Sequence, residues 1–208
     1  NDPINYIDPN GLVQMVAGDL TYNDRNDKFA FTDGRSVKDN TTIEIQRTPG
    51  HTNGHFKSDL TVEIDGIVVY GQDVQSWADI ANPKTNDMTV PADTYTGTLL
   101  ENTGSYDKPI KFQNETTGVG TGNDDWFMIH GSEKTRGDLA GQKWSLNGNS
   151  AGCQILQGQA ESYNNFTETL ESAGYSFNGK DTIDINIKDP VGIHTTTDGK
   201  EIKKGGGC

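Results

Sequence analysis

Apolar and polar residues alternate from Leu60 to Ile64, and after a turn signal an apolar run returns to Tyr70. Leu60-Thr61-Val62-Glu63-Ile64 has the two-residue period of a half-buried strand. Asp65-Gly66 follows, a pair suited to the tight turns of β-hairpins, and Ile67-Val68-Val69-Tyr70 returns. Thr42-Ile43-Glu44-Ile45-Gln46 alternates in the same way. The segment from Val90 to Leu100 reads as a turn around Pro91 leading into a strand. Pro109-Ile110-Lys111-Phe112 is a short strand with Pro at its start, where no ladder donor is lost. Trp126-Phe127-Met128-Ile129-His130 is an apolar run that predicts a strand covered on both faces. Asp181 to Ile187 alternates again. One helix is predicted from Glu161 to Ala173, because Phe166 and Leu170 share a face and Gly174 supplies a C-terminal stop. Many short strands with little helix predict a mostly β domain, a sandwich or barrel-like fold with one or two short helices.

Composition narrows the partners. The 208 residues include 25 glycines and only 31% hydrophobics, yet Trp77, Trp126, Trp144 and the Tyr and Phe residues can fill a modest core. The net charge of -13 argues against nucleic acid, which needs a basic footprint. No run of 18 apolar residues is present, so no membrane span is expected. No signal-peptide pattern is seen, and export is expected from another part of a longer chain or from a secretion machine.

Chemistry concentrates in two places. Phe127-Met128-Ile129-His130-Gly131-Ser132 ends an apolar strand in His-Gly, and Asn149-Ser150-Ala151-Gly152-Cys153 presents a cysteine on a small-residue turn. A cysteine attacks as the thiolate, so it needs a nearby base or a positive field. His130 is the candidate base and Cys153 the candidate nucleophile. Ser150 or a backbone carbonyl would orient the imidazole, and Gly152 would allow close backbone approach. The alternative for Cys153 is a small buried hydrophobe. Cys208 ends the chain after Lys203-Lys204-Gly205-Gly206-Gly207, and a free thiol at Cys153 is expected. Trp77 and Tyr95 are candidates to stack on substrate, with core packing as the alternative. His51 and His55 lie among glycines without a completing ligand set, and Asn123-Asp124-Asp125 lacks the spacing of a calcium loop, so no metal or other cofactor is expected. His194 is expected to be solvated.

The segment from Leu60 to Leu156 resembles the L,D-transpeptidase catalytic domain, whose motif is His-Gly followed by Ser/Thr-His-Gly-Cys and usually an Arg two positions later. His130, Gly131, Ser150, Gly152 and Cys153 match it; Ala151 stands for the second His and Ile155 for the Arg. Thr89-Val90-Pro91-Ala92-Asp93-Thr94-Tyr95 is similar to that family's Thr-Pro-x-Gly-x-Tyr segment. The resemblance implies an L,D-transpeptidase-type fold and a thioester mechanism on peptidoglycan stem peptides. Gly131, Tyr95 and Trp77 would lie toward substrate, and Arg136, in the loop between the motifs, would supply the missing cation.

The first twelve residues, Asn1 to Leu12, resemble the end of the core of Rhs-repeat polymorphic toxins, where Asp-Pro-x-Gly-Leu closes the shell and a variable toxin begins. That resemblance implies a junction between Leu12 and Val13, an Rhs shell upstream, and a cognate immunity protein. It implies secretion-system delivery and action in the target-cell periplasm. The expected divisions are a shell remnant at 1–12, a polar extension at 13–58, the catalytic domain at 59–190 and a polar tail at 191–208. Two other functions fit the same residues: a non-enzymatic glycan-binding or adhesion module, and a cytosolic cysteine-hydrolase toxin.

Overall fold

The computed structural model describes residues 6–7, 13–52, 55–77, 90, 92–103, 106–116, 119–120, 127–131, 154–156, 160–189, 193–195 and 201–203. Within them the alternating segments pair as strands. An N-terminal antiparallel sheet comprises β1 (Tyr6–Ile7), β2 (Val13–Ala17), β3 (Leu20–Asn23) and β4 (Lys28–Phe31), in that order. Tyr6 lies opposite Met15 and Ile7 opposite Gln14, so backbone pairing crosses the expected junction at Leu12 and Val13. Leu12 itself is outside the described residues.

A 3₁₀ turn at Lys38–Asn40 leads into β5 (Thr41–Thr52), β6 (His55–Ile64) and β7 (Ile67–Trp77), an antiparallel meander. Asp65 and Gly66 both have positive φ, 52° and 76°, the combination a type I′ turn requires. The ladder between β5 and β6 shifts register between Arg47 and His51, and Pro49, which has no N–H to donate, falls in that gap. The chain continues through β8 (Thr94–Leu99), β9 (Ile110–Gln113), β10 (Met128–His130), β11 (Gln154–Leu156), α1 (Ala160–Ser172) and β12 (Thr182–Lys188). A last hairpin joins β13 (Ile193–Thr195) to β14 (Glu201–Lys203) within the segment expected to be a tail.

Strands β10-β11-β7-β6-β5-β12-β8-β9 form a closed barrel, with β9 pairing back to β10. Two neighbours are parallel, β10 with β11 and β5 with β12. The mostly β, barrel-like expectation therefore holds, and closure removes the unpaired edges an open sheet would expose. The boundary expected at residue 58 does not divide the structure. β5 sits between β6 and β12 in the wall and buries Ile43 and Ile45 in the interior.

The barrel interior is lined by alternate residues of each strand. Ile43, Ile45, Leu60, Val62, Ile64 and Ile185 are fully buried, each contributing about 1.5–3 kcal/mol by leaving water. Tyr95 is among them at 1% exposure and packs edge-on against Phe112, with ring centroids 5.4 Å apart. Its ring therefore fills the core and offers no stacking surface to a substrate.

Helix α1 lies against β7 and β4. Phe166 and Leu170 are fully buried, with Tyr163 on the same stripe. The helix ends in a Schellman arrangement: Tyr175 N–H donates to Leu170 C=O at 3.0 Å and Gly174 N–H to Glu171 C=O at 3.0 Å. Among the described residues no helix is long and apolar enough to cross a membrane.

Candidate active site around His130

Strand alternation decides where His130 points. Ile129 is fully buried in the barrel core, so its neighbours Met128 and His130 face the other way. An outer-face position on a barrel would ordinarily be wet, yet His130 is only 3% exposed. Tyr106, from the loop between β8 and β9, lies against the imidazole with ring centroids 4.0 Å apart and planes 36° apart.

The Nδ1 atom of His130 is 2.6 Å from the carbonyl oxygen of Gly131. A carbonyl only accepts, so Nδ1 carries a hydrogen and donates it. In the neutral ring Nε2 then holds the lone pair. The sequence pattern His-Gly thus has a physical purpose at its second position. A Cβ on Gly131 would stand 2.7 Å from Cγ and 2.9 Å from Cβ of Tyr163, closer than real Cβ contacts come. Only glycine lets this backbone sit against the helix while its carbonyl turns toward the imidazole.

Tyr163 ties three elements together. Its hydroxyl donates to the carbonyl of Lys108 at 2.8 Å and lies 3.4 Å from that of Ile129. Burial, with the Asp107 charge second, pushes its pKa well above the usual phenol value, so it stays a donor. Lys108 in turn has φ of 45°, donates its N–H to the Glu101 carbonyl at 2.7 Å, and pairs through Nζ with Glu171 of α1 at 2.6 Å. The β8–β9 loop that carries Tyr106 is therefore held at both its backbone and its side chains. Sequence reading did not find Tyr106, Tyr163 or Lys108. A signal existed for Tyr163, three residues before Phe166 on the helical stripe; none existed for Tyr106, whose contact with His130 depends on a loop closing across the wall.

On the other side of β10 runs β11, parallel to it. Ile129 lies opposite Gln154 and His130 opposite Ile155. Gln154 is fully buried. Of the residues expected to form the site, His130 and Gly131 are described and adjoin each other through the Nδ1 hydrogen bond. Ser150, Gly152, Cys153 and Arg136 lie outside the described residues. Trp77 ends β7, where it pairs with His55.

Away from His130, a concavity of about 330 Å³ lies near the C-terminal end of α1, lined by Lys38, Asp39, Tyr175, Lys180, Asp181 and Asp184 among others. Lys38 and Asp181 already pair there at 2.8 Å, and the Tyr175 hydroxyl donates to the Lys38 carbonyl at 2.8 Å. No family model, curated protein or solved structure matches this chain.

Proposed function

We propose that this chain is a cysteine-dependent enzyme acting on peptidoglycan stem peptides, of L,D-transpeptidase or L,D-carboxypeptidase type, and the toxin cargo of an Rhs shell. The observation that carries the reading is the register of β10 and β11. Ile129 pairs with Gln154 in a parallel ladder, and Cys153 directly precedes Gln154 in the chain. His130 is the last residue of β10 and lies opposite Ile155, so Cys153 is two residues in the chain from the position opposite the base. The Nδ1–H bond to Gly131 adds support, because it leaves Nε2 as the proton acceptor.

In this reading Nε2 of His130 takes the proton from the Cys153 thiol. The thiolate attacks the carbonyl carbon of an amide in the stem peptide. The C–N bond then breaks, the imidazolium gives its proton to the departing amine, and an acyl thioester remains on Cys153. Water or a second amine, deprotonated by His130, attacks the thioester carbonyl. The products are a carboxylate or a new amide, and the thiol is regenerated. Backbone amides at the Cys153 turn would receive the oxyanion. The likeness of Asn1 to Leu12 to an Rhs shell ending supports delivery by a secretion system into a target periplasm, with an immunity protein as partner.

The test is mass analysis of muropeptides after purified sacculi are incubated with the protein. Shortened or exchanged stem peptides are expected, absent with Cys153→Ala and with His130→Gln. Unchanged muropeptides would overturn the proposal and favour a glycan-binding module or a cytosolic cysteine hydrolase; conversion that survives Cys153→Ala would overturn the cysteine mechanism.

A further inference from the structure

We propose that Tyr106 is a positioning residue for His130: its ring fixes the imidazole plane and stabilises the imidazolium formed when the thiol is deprotonated. The inference rests on the proposed Cys/His chemistry for its purpose, but its physical content concerns His130 alone.

The geometry is specific. The two ring centroids are 4.0 Å apart, and the 36° tilt keeps the phenol face toward the imidazole. An aromatic face attracts a cation within about 6 Å, more strongly where water is excluded. His130 is 3% exposed, so water is largely excluded. Burial alone would disfavour the charged ring, and a base that cannot hold a proton cannot serve as the acid later. The phenol face opposes that penalty.

Among the described residues, the titratable groups on the elements next to β10 are Glu101, Tyr106, Asp107 and Lys108 of the β8–β9 loop, Lys111 on β9, opposite Met128, and Tyr163 on α1. Lys108 is turned to Glu171, and Tyr163 donates to the Lys108 carbonyl. Asp107 pairs backbone with Asn102 across the loop. Tyr106 is the group in ring-to-ring contact with His130.

The loop is built to hold that ring still. Thr103 N–H donates to the Tyr106 carbonyl at 3.2 Å, and Leu100 N–H to the Pro109 carbonyl at 2.9 Å. With the Lys108 anchors, Tyr106 is tied to Thr103 on one side and lies two residues from the anchored Lys108 on the other. A stacked ring on a fixed loop also blocks rotation of His130 about χ2, which would break the Nδ1–H bond to Gly131 and turn Nε2 away.

The experiment is an NMR titration of ¹³C-labelled histidine in the intact protein, with the His130 signals assigned by comparison with His130→Gln. Tyr106→Leu keeps an apolar cover over the ring but removes the π face. Its His130 midpoint is expected to fall by roughly 0.5 to 1 unit, and muropeptide conversion to fall about three- to tenfold. Tyr106→Phe keeps the face and is expected to keep the midpoint. Tyr106→Trp, the stronger cation partner, is expected to raise it, which gives a second reading if the leucine variant does not fold. A His130 midpoint that fails to move down in Tyr106→Leu, or up in Tyr106→Trp where the leucine variant does not fold, overturns the inference. If the midpoint moves as expected while sacculi remain unchanged, Tyr106 tunes His130 and it is the enzymatic reading that fails.

Discussion

Arg47 is among the largest fully buried side chains of the described residues. Its guanidinium is fully buried inside the barrel wall, pairs with Asp189 at 2.7 Å and donates to the Val90 carbonyl. Desolvation lowers its pKa, and the hydrogen bond and charge of Asp189 oppose that shift. A buried ion pair adds little net stability over an apolar pair, but breaking one partner leaves an uncompensated charge. Asp189→Ala is therefore expected to cost about 3–5 kcal/mol in urea unfolding. Arg47→Met combined with Asp189→Leu is expected to recover most of that loss. A single variant as stable as wild type would show that water reaches the guanidinium. In the sequence Arg47 is only a charge directly after the alternating segment Thr42 to Gln46; its burial follows from β12 closing against β5.

At the scale of elements, the contact between β10 and α1 matters most. Gly131 and Tyr163 meet so closely that no Cβ fits at residue 131. Gly131→Ala is expected to destabilise by about 1–3 kcal/mol through overpacking. Trimming the obstacle should relieve it: Gly131→Ala with Tyr163→Leu is expected to cost less than the sum of the two single changes, measured by urea unfolding. Strictly additive costs would show that the helix shifts freely away from the strand. The helix itself was legible from Phe166, Leu170 and Gly174, and the strand from its apolar run. Their juxtaposition was not, because the two segments are some thirty residues apart and the period of each says only which face is apolar.

For the whole molecule, buried and part-buried phenols are expected to set the alkaline limit. Burial pushes Tyr70 up to about 12, and pushes Tyr163 and Tyr175 higher. A raised folded-state pKa means the neutral phenol is the favoured native form. The stability this contributes is fully present below the unfolded value near 10 and is lost as pH rises through the folded values. Stability is expected to be unaffected by these groups up to about pH 10 and to decline from there through about 12. Tyrosinate absorbance should appear together with loss of β-sheet circular dichroism. Full phenol ionisation near pH 10 in a still-folded protein would contradict that burial. The three tyrosines report different junctions: Tyr70 bonds the Ser162 carbonyl at the start of α1, Tyr163 the β8–β9 loop, and Tyr175 the Lys38 carbonyl.

Local physics determined the elements. A period of two wrote the strands around Ile43, Leu60 and Ile185, Asp65-Gly66 wrote the hairpin turn, and Gly174 ended the helix. His-Gly after an apolar run was enough to nominate His130 as a candidate base. Tertiary structure alone decided which strands are neighbours. Parallel pairing of β10 with β11 and of β5 with β12 joins segments with no short connection, and no local pattern encodes a partner. It decided that Tyr95, nominated for substrate, belongs to the core, and that residues 41–52 belong to the barrel. It also brought Tyr106 onto His130, a contact between side chains that share neither an element nor a period.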